Sequence, residues 1–74
     1  MQNKMKKQVI KIDEEFIRLD NLLKFSGITA TGGQAKFLIQ SEKVKLNGEI
    51  CNMRGKKIRK GDFVTFEDNI IEVS

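Results

Sequence analysis

Residues 31–62 read TGGQAKFLIQSEKVKLNGEICNMRGKKIRKGD, and the fold of this 74-residue chain turns on them. Thr31 is suited to cap a helix over about residues 33–42, its hydroxyl accepting from an amide of the first turn. Gln34, three residues on, completes a capping box. Ala35, Leu38 and Ile39 stand at i, i+3 and i+4, one apolar face that predicts packing against another helix. Phe37 lies off that face and is expected to pack against neighbouring strands, as most aromatics do, with stacking on a base as the alternative. Val44 and Leu46 alternate with Lys45, which predicts a short strand with Lys45 outward. Asn47-Gly48 predicts a two-residue hairpin turn, because both central residues of a type I′ turn need positive φ. Asn47 is read as a turn residue and not as a contact. Residues 49–51 return as a strand. Residues 52–57, NMRGKK, are read as a loop with Gly55 at positive φ. Lys60-Gly61-Asp62 makes a second turn.

Towards the N-terminus, residues 1–6 read as a polar leader and residues 7–12 as a strand built on Val9, Ile10 and Ile12. Asp13, Glu14 and Glu15 favour a helix start. The helix is predicted from Glu15 or Ile17 to Phe25, with Leu19, Leu22 and Leu23 on one face and Asp20 and Lys24 as an i, i+4 ion pair. Gly27 is the expected stop, with Ile28 folding back on the helix end. Towards the C-terminus, residues 63–67 read as a strand, Asp68-Asn69 as a tight turn and residues 70–73 as the last strand. The expectation is a single α+β domain over residues 1–74, with the strands at 7–12 and 70–73 completing its sheet.

Composition excludes much. There is no histidine and one cysteine, so an internal disulfide, the usual zinc site and an imidazole base are all absent. Cys51 is read as a small buried hydrophobe suited to a reducing cytoplasm. No apolar run is long enough to span a bilayer, and no secretory signal is present. The carboxylates form no paired arrangement. The expectation is a chain that is not an enzyme and needs no cofactor or metal.

Charge points the other way, to a polyanion. Between Lys36 and Lys60 lie eight basic residues and two acids, while the remainder of the chain is net acidic within a total of +4. Lys36, Lys43 and Lys45 are read as a stripe running from the helix onto the hairpin. Arg54, Lys56, Lys57, Arg59 and Lys60 form the densest cluster, with Ile58 in its middle pinning it to the core. The amides around Thr31, Gly32, Gly33 and Gln34 are placed to hold a phosphate at the helix start. Arg18, at the start of the first helix, joins the same candidate surface or pairs with Asp20.

Four runs in order, RLDNLLKFSG (18–27), TGGQAKFLI (31–39), VKLNGEI (44–50) and KIRKGDFV (57–64), resemble the ribosomal S4-type RNA-binding domain, or alpha-L motif. Their details are similar to the small stand-alone bacterial members. The resemblance covers a core of residues 18–64. It implies two or three short helices packed on a small, mainly antiparallel sheet, and a grip on structured RNA, usually ribosomal or transfer RNA. Two departures stand out. Thr31-Gly32-Gly33 replaces a common Ser-Arg at the second helix, and Glu42 stands where the family usually has glycine.

Residues and resemblance together predict a cytoplasmic, monomeric RNA-binding module, associated with the ribosome at the family level. The alternatives are a DNA-associated accessory factor and a protein-interaction adaptor using the basic face. The lack of Trp and Tyr favours structured RNA over single strands.

Overall fold

The computed structural model describes residues 6–74; the expected leader lies almost entirely outside them. The first strand, β1 (Lys6–Ile10), pairs in parallel with the last. It ends before Ile12, although Ile12 donates to the Ser74 carbonyl at 2.9 Å and prolongs the contact. The acids at 13–15 form bends and not a helix start. Phe16–Arg18 is a strand, β2, and the helix α1 begins only at Leu19 and ends at Phe25. Tertiary pairing overrides the local helix signal here, because β2 finds a partner in a later segment.

The start of α1 has no side-chain cap. The amide of Leu19 instead donates to the Lys56 carbonyl at 2.9 Å, and that of Asp20 to the Arg54 carbonyl at 3.1 Å. Two amides that a helix start leaves without internal partners are thereby satisfied by the basic segment. At the other end, Gly27 (φ 84°) donates to Lys24 and Ile28 to Leu23, the paired bonds of a Schellman stop.

The second helix, α2, runs Gly32–Gln40. The Thr31 hydroxyl accepts from the Gln34 amide at 3.1 Å, as the capping pattern predicts. The Gln34 carbonyl returns to the Ala30 amide at 2.9 Å, one residue earlier than the usual box. Its end is also a Schellman stop, with Glu42 donating to Ile39 and Lys43 to Leu38. The left-handed residue there is Glu42 (φ 62°), which explains in backbone terms why glycine suits this position.

Beyond α2 come β3 (Lys45–Leu46), β4 (Glu49–Ile50), β5 (Lys57–Arg59), β6 (Phe63–Phe66) and β7 (Asn69–Val73). Five strands form one sheet in the order β1-β7-β6-β3-β4, antiparallel except for β1–β7. β2 and β5 form a separate antiparallel ribbon, so Lys57 of the expected loop and Arg59 of the basic cluster are in a strand. Asn47 (φ 52°) and Gly48 (φ 91°) make the β3–β4 turn as expected. The β6–β7 turn is Glu67-Asp68, one residue earlier than expected, with Glu67 at φ 55°. Gly55 is not at positive φ; residues 53–56 close by a Lys56 amide to Met53 carbonyl bond of 3.0 Å.

Leu19, Leu22 and Leu23 of α1 meet Ala35 and Ile39 of α2, and both helices rest on Val44, Val64, Ile71 and Val73. Ile58 is fully buried in the same cluster. Phe37 is not in it: the residue is 69% exposed. At about 100° per residue it stands roughly 200° from Ala35, on the outer side of the helix. Cys51 is half-buried at the rim, its thiol 3.9 Å from the Met53 carbonyl. Among the described residues no helix is long and apolar enough to cross a membrane.

Candidate nucleic-acid interface

Side chains alternate across the β2–β5 ribbon, and that alternation builds the densest part of the basic surface. Ile17 faces Ile58, and the pair points inward. Arg18 lies opposite Lys57 and Phe16 opposite Arg59, so these side chains point outward. The Lys57 ammonium sits 4.9 Å from the centre of the Phe16 ring, a cation–π contact that orders it. Arg18 reaches Asp20 at 3.0 Å, and its guanidinium lies over Gly55. The Asp20–Lys24 pair predicted from spacing does not form, because Asp20 is engaged by Arg18 and by the Asn21 amide.

Residues 51–56 join this ribbon to both helices. The Cys51 amide donates to Val44, and the Asn52 side chain reaches Glu42 at 3.5 Å, at the end of α2. The carbonyls of Arg54 and Lys56 cap the start of α1. One end of the helical pair therefore gathers Arg18, Lys43, Arg54, Lys56 and Lys57. Thr31, Gly32, Gly33 and Gln34 lie at the other end of α2, about 13 Å away along a nine-residue helix. Lys36 lies between them on α2, and Lys45 lies outward on β3. The amide-rich helix start and the basic ribbon thus lie toward opposite ends of α2. Every one of these residues, with Arg59 and Lys60, is exposed.

The basic side chains of residues 36–60 have no ion-pair partner among the described residues, where the two ion pairs are Lys7–Glu72 and Arg18–Asp20. Two acids border them: Glu42 at the end of α2, and Asp62, whose carboxyl feels the Arg59 and Lys56 charges.

A polar clip that sequence reading missed fixes the turn beside Arg59. Asn47 is a contact as well as a turn residue. Its side chain donates to Asp62 at 3.0 Å and accepts from the Phe63 amide at 2.9 Å. The other Asp62 oxygen accepts from the Arg59 amide at 2.8 Å. That backbone hydrogen bond, the Asn47 bond and the nearby Arg59 and Lys56 charges outweigh burial and hold the Asp62 carboxyl below its usual pKa. Nothing in the spacing of Asn47 and Asp62 signals the clip; a turn polar residue paired with a distant turn acid is visible only once the strands are registered.

Known proteins share this architecture. The chain is 40% identical over 58 residues to the probable ribosome maturation protein RlbA of Bacillus subtilis (strain 168), covering 78% of this chain and 82% of that one. A crystal structure of a pseudouridylate synthase superposes with a TM-score of 0.68 at 32% identity. That match covers 76% of this chain and 24% of the synthase, so the chain corresponds to about a quarter of that enzyme. The S4 domain family matches residues 10–74, nearly the whole described chain. That match takes in the helical pair, the Asn47-Gly48 hairpin and the Gly61-Asp62 turn, and the chain belongs to the S4 domain family.

Proposed function

We propose that this chain is a non-catalytic RNA-binding module that grips structured RNA, ribosomal or transfer RNA, and acts in association with the ribosome in the cytoplasm. The observation that carries the reading is the exposed, unpaired positive charge of residues 36–60 on an ordered frame. Lys36, Lys43, Lys45, Arg54, Lys56 and Lys57 would contact phosphates, with Arg59 and Lys60 at the edge of the surface. Each contact releases condensed counterions, which gives affinity without a base code. Family membership and the likeness to a probable ribosome maturation protein support RNA as the polymer. Burial of Ile58 supports the mechanism, because charges held on a fixed ribbon lose little conformational freedom on binding.

The test is salt-dependent binding to a structured ribosomal RNA fragment, in competition with duplex DNA at fixed salt. The expected result is preference for the RNA. Reversal of Lys36, Lys56 or Lys57 to Glu should weaken binding and flatten the log–log salt slope by roughly 0.7–0.9 per lost contact. Equal or tighter binding to duplex DNA would favour a DNA-associated factor. Unchanged RNA affinity and slope in the reversal variants would leave the basic face to an acidic protein partner.

A further inference from the structure

A groove of about 540 Å³ lies beside the start of α2. Gly33, Gln34, Phe37 and Leu38 form its helical wall, and Ile28, Thr29 and Phe66 close it. At about 100° per residue, Gln34, Phe37 and Leu38 fall on one flank of the buried Ala35–Ile39 stripe, and Lys36 falls on the other. An apolar groove therefore runs along one side of α2 and a cationic edge along the other, with the helix start between them.

Two polar groups in this groove lack a use within the chain. Thr29 is only 5% exposed and lines the groove, yet its hydroxyl has no hydrogen-bond partner. Folded proteins rarely keep a buried hydroxyl unpaired. Gln34 is fixed through its carbonyl oxygen to the Ala30 amide, which leaves its side-chain NH₂ to donate. Phe37 adds a ring that is 69% exposed, on a helix whose buried face is already complete. The amides of Gly32 and Gly33 belong to the first turn, where no carbonyl lies four residues back within the helix. An aromatic face, two edge-reading polar groups and an anion-binding helix start suit one nucleotide.

We propose that this groove takes a single unstacked RNA base, which lies on the Phe37 ring with its polar edge at Thr29 and Gln34. Its phosphate sits on the Gly32–Gly33 amides, and the strand continues toward Lys36. This rests on the RNA-binding reading above and adds where an unpaired nucleotide is recognised. An apolar protein side chain would fill the groove equally well by shape. It would leave the Thr29 hydroxyl unpaired and the adjoining amides without an anion, so the base is favoured.

The experiment compares two RNA stems at one salt concentration, one fully paired and one with a single bulged 2-aminopurine. The intact protein is expected to bind the bulged stem about tenfold more tightly, with a change in 2-aminopurine fluorescence on binding, as stacking on one aromatic allows. Phe37→Ala should erase that preference and leave the paired-stem affinity and salt slope unchanged. Thr29→Val should weaken bulge binding severalfold while raising the melting temperature of the free protein by about 2–5 °C, because it removes an unpaired buried hydroxyl. A merely structural role for Thr29 would lower both. Equal affinity of the intact protein for the two stems overturns the proposal. So does a Phe37→Ala variant that keeps the bulge preference, which would leave the groove to a protein side chain. Failure to bind even the paired stem would instead sink the RNA-binding reading itself, so the two failures are separable.

Discussion

At Glu42 one side chain works against both stability and binding. Its φ of 62° is unfavourable by about 1–2 kcal/mol for an L-residue with a Cβ, and its carboxylate sits beside Lys43 in the basic surface. Glu42→Gly relieves the backbone but frees the unfolded chain by about 0.5–1 kcal/mol. The expected net gain is about 0.5–1 kcal/mol in urea unfolding, together with tighter RNA binding. Glu42→Gln should reproduce the tighter binding without the stability gain, which separates charge from backbone. Asp62 gives the opposite lesson. Its folded pKa is depressed, so its contribution is fully present above the unfolded value of 3.8 and is lost as pH falls through the folded one. The melting-temperature gap between the parent and Asp62→Ala should therefore be widest near neutral pH and close below about pH 4. Asn47→Ala removes the same clip from its other side and should destabilise by about 1–2 kcal/mol, measured by urea unfolding.

Among the elements, the β2–β5 ribbon is anchored through one fully buried residue. Ile58 is the single fully buried residue of β5, and it holds the charges on both sides of it in register. Ile58→Ala should destabilise by about 2–4 kcal/mol, while Ile58→Val should lose about 0.5–1.5 kcal/mol and retain full RNA affinity. How far the elements could be read from the chain follows from how local their causes are. Helix α2 and the Asn47-Gly48 hairpin were legible because Thr31, Gln34 and the NG pair act within four residues. The buried faces of both helices were legible from the spacing of Leu19, Leu22, Leu23, Ala35 and Ile39. Strand β2 was not, because Phe16–Arg18 is extended only through its pairing with Lys57–Arg59, some forty residues away. Phe37 departs from the expectation because its helical phase leaves it on the outer side, where no strand reaches it. The basic residues of the site were legible as charge, whereas the separation of an amide end from a ribbon end depended on the path of residues 51–56. The groove at Thr29 had no signal at all, since a lone threonine between helices looks like any turn residue.

For the molecule as a whole, net charge and binding pull in opposite directions as salt is raised. The positive charges of residues 36–60 repel one another in the free protein, and that repulsion is screened over about 10 Å at 0.1 M salt. Raising salt from about 0.05 to 0.3 M should lift the melting temperature of the free protein by about 2–4 °C, while the same change weakens RNA binding by orders of magnitude. Scanning calorimetry and a binding titration across one salt series check both signs. The sheet order has a separate outcome. β1 and β7 are neighbours and parallel, with Lys6 beside Asn69 and Ile10 beside Val73. Tension applied through Lys6 and Ser74 pulls these two strands past each other along their length. The rungs of the ladder are then loaded together in shear and not peeled one at a time. Under such a pull the fold should be mechanically stiff, while the same force applied across the β3–β4 hairpin would unzip it pair by pair.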